Sequence, residues 1–120
     1  MDTAQYFFRM RCADVDTASE TLWVAHLDWA YNCVHLSRHE GNETSAPFPL
    51  KSIVHDALKF DSAGIVLAHN HPSGDVRPSE SDLGATRRLA MVCDALECPL
   101  LDHLILGGDQ CVSFRSLGLL

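Results

Sequence analysis

The sequence predicts a single α/β domain, and two observations lead to this fold class. Short runs rich in β-formers alternate with segments whose apolar residues recur at helical spacing, which indicates strands packed against amphipathic helices. The chain has 120 residues, near the commonest domain size, and 47% of them are hydrophobic, without repeats or low-complexity tracts. We therefore expect one domain over residues 1–120, built around one compact core.

The first half of the chain predicts a β-hairpin followed by a helix. Its two strands are rich in β-formers and flank a polar turn, and the segment before the helix contains glycine and proline without any period. The helix follows from apolar residues spaced three or four apart. The predicted elements are a short helix at 4–12, strands at 21–27 and 33–37, a loop at 38–47 and a helix at 50–60.

The second half predicts a buried strand, a long helix and a second hairpin. The run GIVLA at 64–68 is short and continuously apolar, which suits a strand covered on both faces in the middle of a sheet. The stretch 70–78 contains two prolines and a glycine and should be irregular. A helix is expected from Ser79 to about Leu96, and apolar runs at 100–106 and 111–114 flank a Gly-Gly-Asp-Gln turn.

Charge and the absence of targeting signals narrow the functional classes. Nine basic residues against sixteen acidic ones give a net charge of −7, which supplies few phosphate contacts, so nucleic-acid binding is disfavoured and only a local basic groove stays open. No signal peptide and no apolar run near 18 residues are present, so we expect a cytoplasmic protein without a membrane span. The apolar tail at 117–120 should pack on the body or on a partner, with a homodimer as one candidate.

Two histidines and an aspartate form a candidate metal site. His69 and His71 project to the same side as the buried strand ends, because residues i and i+2 share a face. Asp82 lies on the inward stripe of the following helix, where a carboxylate needs compensation that a dication supplies. Three protein ligands with an open position are typical of catalytic zinc. The alternative is a helix start in which Ser79 is the N-cap and Asp82 its N3 partner, and the two interpretations are compatible.

The spacing of these residues resembles a known family. His69-x-His71, seven further residues, Ser79, two more and Asp82 match the H-x-H-x7-S-x2-D core of the JAMM (JAB/MPN+) metalloproteases. Other stretches are similar to the RadC branch of that superfamily over roughly residues 19–120: AHNHPSGD at 68–75, the Arg87-Arg88 pair, LDHLILGG at 101–108 and VSFRSLGLL at 112–120. Neither an HNH nuclease unit nor the signature of a zinc deaminase is present.

The resemblance implies a fold and a chemistry. The fold would be a JAMM/MPN-type, cytidine-deaminase-like three-layer domain with a mixed sheet flanked by helices. A zinc ion would be held by His69, His71 and Asp82, with Ser79 assisting the oxyanion. By alignment, Glu20 would be the catalytic base, although an exposed acid before a strand is its alternative. The implied activity is a zinc metallopeptidase or isopeptidase-type amide hydrolase acting on a peptide or an isopeptide-linked protein.

Departures from the RadC pattern keep two rival functions open. Where RadC proteins usually have an Arg-Gly-Thr turn and a Val-His-Pro-Arg-Glu helix start, this chain reads Glu-Gly-Asn at 40–42 and Phe-Pro-Leu-Lys-Ser at 48–52. The N-terminal helix-hairpin-helix region of full-length relatives is also expected to be lacking. The rivals are a metal-dependent DNA-processing protein and a non-catalytic metal-binding module. Asp102 and His103 are candidates for supporting a ligand imidazole, or for a structural hydrogen-bonded pair.

Overall fold

A computed structural model describes residues 20–40 and 48–120, which form a five-stranded mixed sheet and two helices. The small α/β domain expected from the sequence is confirmed. The strands are β1 (Thr21–Leu27), β2 (Cys33–Glu40), β3 (Gly64–Asn70), β4 (Leu100–Gly107) and β5 (Gln110–Ser113), and the helices are α1 (Leu50–Lys59) and α2 (Glu80–Ala95). The helix predicted at 4–12 and the part of the predicted loop at 41–47 lie outside the described residues.

The topology of the sheet brings the end of β3 beside the start of β1. The strand order is β2-β1-β3-β4-β5, so β3 occupies the centre, as its continuous apolar run predicts. β1 is antiparallel to β3, and its residue Leu22 lies opposite His69. β3 and β4 are parallel and are connected through α2. The residues that precede β1 and those that follow β3 therefore lie side by side, at the end of the sheet where β1 begins and β3 ends.

Alternate residues of the strands build two apolar clusters on the two faces of the sheet. The first cluster contains residues of both helices, so α1 and α2 pack on the same face. Its buried members include Leu22, Val24, Ile53, Ala57, Ile65, Leu67, Leu89 and Cys93. The second cluster lies on the opposite face and contains Trp23, Ala25, Val66, Ala68, Leu104 and Leu106. Buried apolar clusters on both faces hold the central strands in place.

Two strand ends differ from the prediction. β2 runs to Glu40, so residues 38–40, which were expected in a loop, pair with β1 instead. The polar sequence there fits an edge strand, because an edge strand does not need a continuous apolar run. β3 also continues past the apolar run to Asn70, since pairing with β4 extends to that residue. Neither described helix is long and apolar enough to cross a membrane.

Candidate metal centre

His69 and His71 bring two imidazole nitrogens together at the end of β3. His69 is the second-last residue of the strand, and His71 follows it with its backbone N–H donating to the carbonyl of Leu106 on β4 at 2.9 Å. The two Nε2 atoms are 2.9 Å apart. Only 4% of the His69 side chain and 17% of that of His71 are exposed. The predicted convergence of the two side chains is therefore present in the structure.

Asp82 reaches both imidazoles from the first turn of α2. Its Oδ1 lies 3.5 Å from Nε2 of His69, and its Oδ2 lies 3.3 Å from Nε2 of His71. The carboxylate also completes a capping box, because Oδ2 accepts from the Ser79 backbone N–H at 3.0 Å. Burial opposes its ionisation, but hydrogen bonds with His69 and the Ser79 N–H outweigh it and lower the pKa of Asp82. The capping role and a place beside the histidines thus coexist in one residue.

The Ser79 hydroxyl lies at the same helix start. Its Oγ accepts from the backbone N–H of Asp82 at 3.0 Å, and the side chain is the N-cap of α2. This capping bond uses a lone pair of the hydroxyl oxygen and leaves its hydrogen available as a donor. The oxyanion role implied for Ser79 is therefore compatible with the cap.

Glu20 lies immediately before β1 and faces the two histidines. Its Oε1 is 3.8 Å from Nε2 of His69, and 53% of its side chain is exposed. Among the described residues, Glu20, His69 and His71 form a group whose potential donor atoms all lie within 4.8 Å of one another. The next residue, Thr21, donates its backbone N–H to Oδ1 of Asn70 at 2.6 Å. The residue between the two histidines thus fixes the start of β1 beside them.

Hydrogen bonds behind the imidazoles determine which nitrogens face the site. Nδ1 of His71 lies 2.6 Å from the carbonyl oxygen of Asp75, and since a carbonyl only accepts, this nitrogen must carry a hydrogen. A neutral His71 therefore has its Nε2 lone pair directed at His69. Asp75 itself is hydrogen-bonded to Arg77, whose side chain lowers the pKa of Asp75 to about 2.

His103 supports His69 from the interior. Its Nε2 is 2.7 Å from Nδ1 of His69, and its Nδ1 is 2.7 Å from Oγ1 of Thr86 on α2. The ring is fully buried and stacks on Phe114, with ring centroids 4.4 Å apart. Burial, together with the neighbouring His69, lowers the pKa of His103 to about 3 despite the opposing charge of Asp82. His103 is therefore a neutral hydrogen-bonding partner of the His69 ring.

The two residues proposed as supports from the sequence have separate roles. Asp102 turns away from the histidines and accepts from the backbone N–H of His103 at 2.8 Å, from Oγ of Ser113 at 2.6 Å and from the backbone N–H of Arg115 at 3.1 Å. It fastens β4 to β5 and to the residues after β5. Thr86, the partner of His103, was not among the site residues predicted from the sequence. Its spacing of four from Asp82 was the available signal that it points to the same site.

The set of atoms at this site suits a divalent cation. Two Nε2 atoms 2.9 Å apart face the carboxylate oxygens of Asp82 and Glu20. Lone pairs and negative charge that converge in a mostly buried pocket repel each other unless a cation or hydrogen lies between them. Imidazole nitrogen and carboxylate oxygen are ligands that zinc accepts. The residues present therefore fit a bound metal ion.

Comparison with known families agrees with this geometry. A sequence model of the family described as RadC-like JAB domain matches residues 1–119, nearly the whole chain. The matched range includes the carboxylate before β1, both histidines at the end of β3 and the start of α2.

Proposed function

Because the chain belongs to the RadC-like JAB domain family, we propose that it is a zinc-dependent amide hydrolase of the JAMM metallopeptidase class. The observation that carries the proposal is the approach of two imidazole Nε2 atoms to 2.9 Å beside the buried carboxylate of Asp82. His69, His71 and Asp82 would hold the metal. Bound zinc would polarise the scissile carbonyl and lower the pKa of a water molecule toward ~7.

Glu20 is the proposed general base. Its carboxylate is half exposed, which leaves room for substrate and water, yet Oε1 is only 3.8 Å from Nε2 of His69. It would take a proton from the attacking water and later give a proton to the nitrogen of the leaving amine as the C–N bond breaks. The Ser79 hydroxyl would donate to the oxygen of the tetrahedral intermediate, a type of contact worth about 3 kcal/mol in other enzymes.

The proposed substrate is a peptide or an isopeptide-linked protein, and the proposed compartment is the cytoplasm. The net charge of −7 supports a protein substrate over nucleic acid. Two buried cysteines, Cys93 and Cys98, carry free thiols, which supports a reducing compartment.

The position of Glu20 also permits a second role as a metal ligand, since it groups with both histidines. Replacing Glu20 by Gln separates the two roles. As the base, Glu20→Gln should retain zinc at the level of the original chain and lose turnover by about 10²- to 10⁴-fold. As a ligand, the same change should lower the zinc content.

The experiment measures zinc content and hydrolysis of peptide and isopeptide libraries on the same samples. Asp82→Asn provides the comparison, because it should lose metal and activity together. Exposed Glu97 at the end of α2 lies outside the site, so Glu97→Gln serves as the control. Hydrolysis that persists undiminished in Glu20→Gln would remove Glu20 from the mechanism. Stoichiometric zinc with no metal-dependent hydrolysis of any library member would favour a non-catalytic metal-binding module instead.

A further inference from the structure

A buried chain of hydrogen bonds lies behind His69, and its donors and acceptors can be arranged in two opposite directions. The chain consists of Thr86 Oγ1, His103 Nδ1 and Nε2, and His69 Nδ1, with two contacts of 2.7 Å each. It continues across the site through the 2.9 Å contact between Nε2 of His69 and Nε2 of His71. Each neutral imidazole carries one hydrogen on one of its two nitrogens, so fixing the direction at one end fixes it throughout.

Without a metal ion, one direction provides a donor and an acceptor for each of these three contacts. The Thr86 hydroxyl donates to Nδ1 of His103, Nε2–H of His103 donates to Nδ1 of His69, and Nε2–H of His69 donates to Nε2 of His71. The last acceptor is available because Nδ1 of His71 donates to the Asp75 carbonyl. In this direction the Nε2 atom of His69 carries a hydrogen and cannot bind metal.

Metal binding at Nε2 of His69 requires the opposite direction. His69 then carries its hydrogen on Nδ1 and donates to His103 Nε2, while Nδ1–H of His103 donates to Thr86 Oγ1. The Thr86 hydroxyl hydrogen turns toward the preceding turn of α2, where helical threonines commonly find a carbonyl acceptor. Both imidazoles, of His69 and His103, keep one ring hydrogen and Thr86 keeps its hydroxyl hydrogen. The net charge of these three side chains is therefore the same in both directions.

We propose that Thr86, acting through His103, is a positioning residue that stabilises the metal-binding tautomer of His69 by accepting a hydrogen bond from Nδ1–H of His103 when the site is loaded. A hydroxyl is suited to this position because it both donates and accepts, so the chain is satisfied in either direction. The inference rests on the proposed function only in its use of metal binding at His69. Hydrolysis plays no part in it.

The first test measures zinc affinity by competition with a chelator. Thr86→Val keeps the shape of the side chain. In the loaded site it leaves a fully buried N–H of His103 without an acceptor, whereas without metal it leaves only a ring lone pair without a donor, and the orphaned N–H is the costlier of the two losses. We expect it to weaken zinc binding by about 10- to 100-fold, the range found when outer partners of ligand histidines are lost. Thr86→Ser keeps the hydroxyl and should stay within about threefold of the original chain. Equal affinity of Thr86→Val and the original chain would overturn the proposal.

A second measurement needs no variant and covers the case in which Thr86→Val does not fold. Nitrogen NMR of ¹⁵N-histidine-labelled protein reports which ring nitrogen carries hydrogen. We expect His69 and His103 to carry it on Nε2 without metal and on Nδ1 in the zinc-loaded protein. A His103 that remains protonated on Nε2 after loading would contradict the proposal. If zinc binds and the tautomers follow this pattern but no hydrolysis is found, the role of Thr86 is supported and the amide hydrolase is disfavoured. Absence of zinc binding at His69 would refute both proposals.

Discussion

Removing the Asn70 side chain should loosen the start of β1, where the candidate base lies. The register between β1 and β3 ends at the pair of Leu22 and His69, and beyond it the Thr21 N–H donates to the Asn70 side chain at 2.6 Å. The backbone after Asn70 continues the pairing with β4, since the His71 N–H donates to Leu106. Oδ1 of Asn70 therefore accepts the hydrogen bond of the Thr21 N–H at the point where backbone pairing between β1 and β3 ends.

The cost of Asn70→Ala follows from the burial of both partners. Thr21 is fully buried and Asn70 is 7% exposed, so the change leaves a buried backbone N–H without this acceptor. Such orphaned donors cost about 1 to 3 kcal/mol. We expect the free energy of unfolding to fall by about 2 kcal/mol, which corresponds to a melting temperature lower by several degrees in a domain of this size.

Two measurements check this prediction. Urea denaturation gives the change in stability, with Glu97→Gln, an exposed substitution outside the site, as the control. Hydrogen exchange of the Thr21 amide reports the bond itself and should accelerate at least tenfold in Asn70→Ala. If the unfolding midpoint and the Thr21 exchange rate both equal those of the original chain, the reasoning about this contact is refuted.

Two further predictions concern the stability of the domain. Burial, which His35 reinforces and Asp56 opposes, lowers the pKa of His26 from 6.5 to about 4, so the unfolded chain takes up a proton before the folded one does. The free energy of unfolding should be highest above pH 6.5 and should fall by about 3 kcal/mol toward pH 4. His26→Asn should reduce that loss when urea denaturation is repeated over this pH range, and an unchanged pH dependence would contradict the prediction. Gly107→Ala should destabilise the domain by about 1 to 3 kcal/mol, since its added Cβ would lie 2.7 Å from Val76 and 2.8 Å from the Gly74 carbonyl; thermal unfolding at the original temperature would refute it.

The local patterns of the sequence predicted most of the elements and the core of the site. The apolar run before His69 was enough to place that residue at the end of a central strand, and the capping signals of Ser79 and Asp82 placed the helix start. Both predictions depend on short-range periodicity, which neighbouring residues determine. β2 was harder, because the polar residues 38–40 owe their strand conformation to pairing with β1 rather than to their own preferences.

The outer parts of the site depend on contacts between distant segments. Glu20 comes beside His69 only through antiparallel pairing across 49 residues, and no local pattern encodes that pairing, so family resemblance was needed to single it out. The link from Thr86 to His103 likewise joins α2 to β4. Asp102 and His103 are adjacent in the sequence but serve different neighbours, and the sequence left that difference open.

Metal analysis of the purified chain shows whether His69 helps to hold a zinc ion. We expect about one zinc ion per chain in the original protein and its loss in His69→Ala, because that change removes an imidazole that lies 2.9 Å from the other. His55→Ala provides the matched control, since His55 is an exposed histidine on α1 away from the site. Zinc should be lost in the first variant and kept in the second. Zinc content that is the same in all three proteins would contradict this prediction.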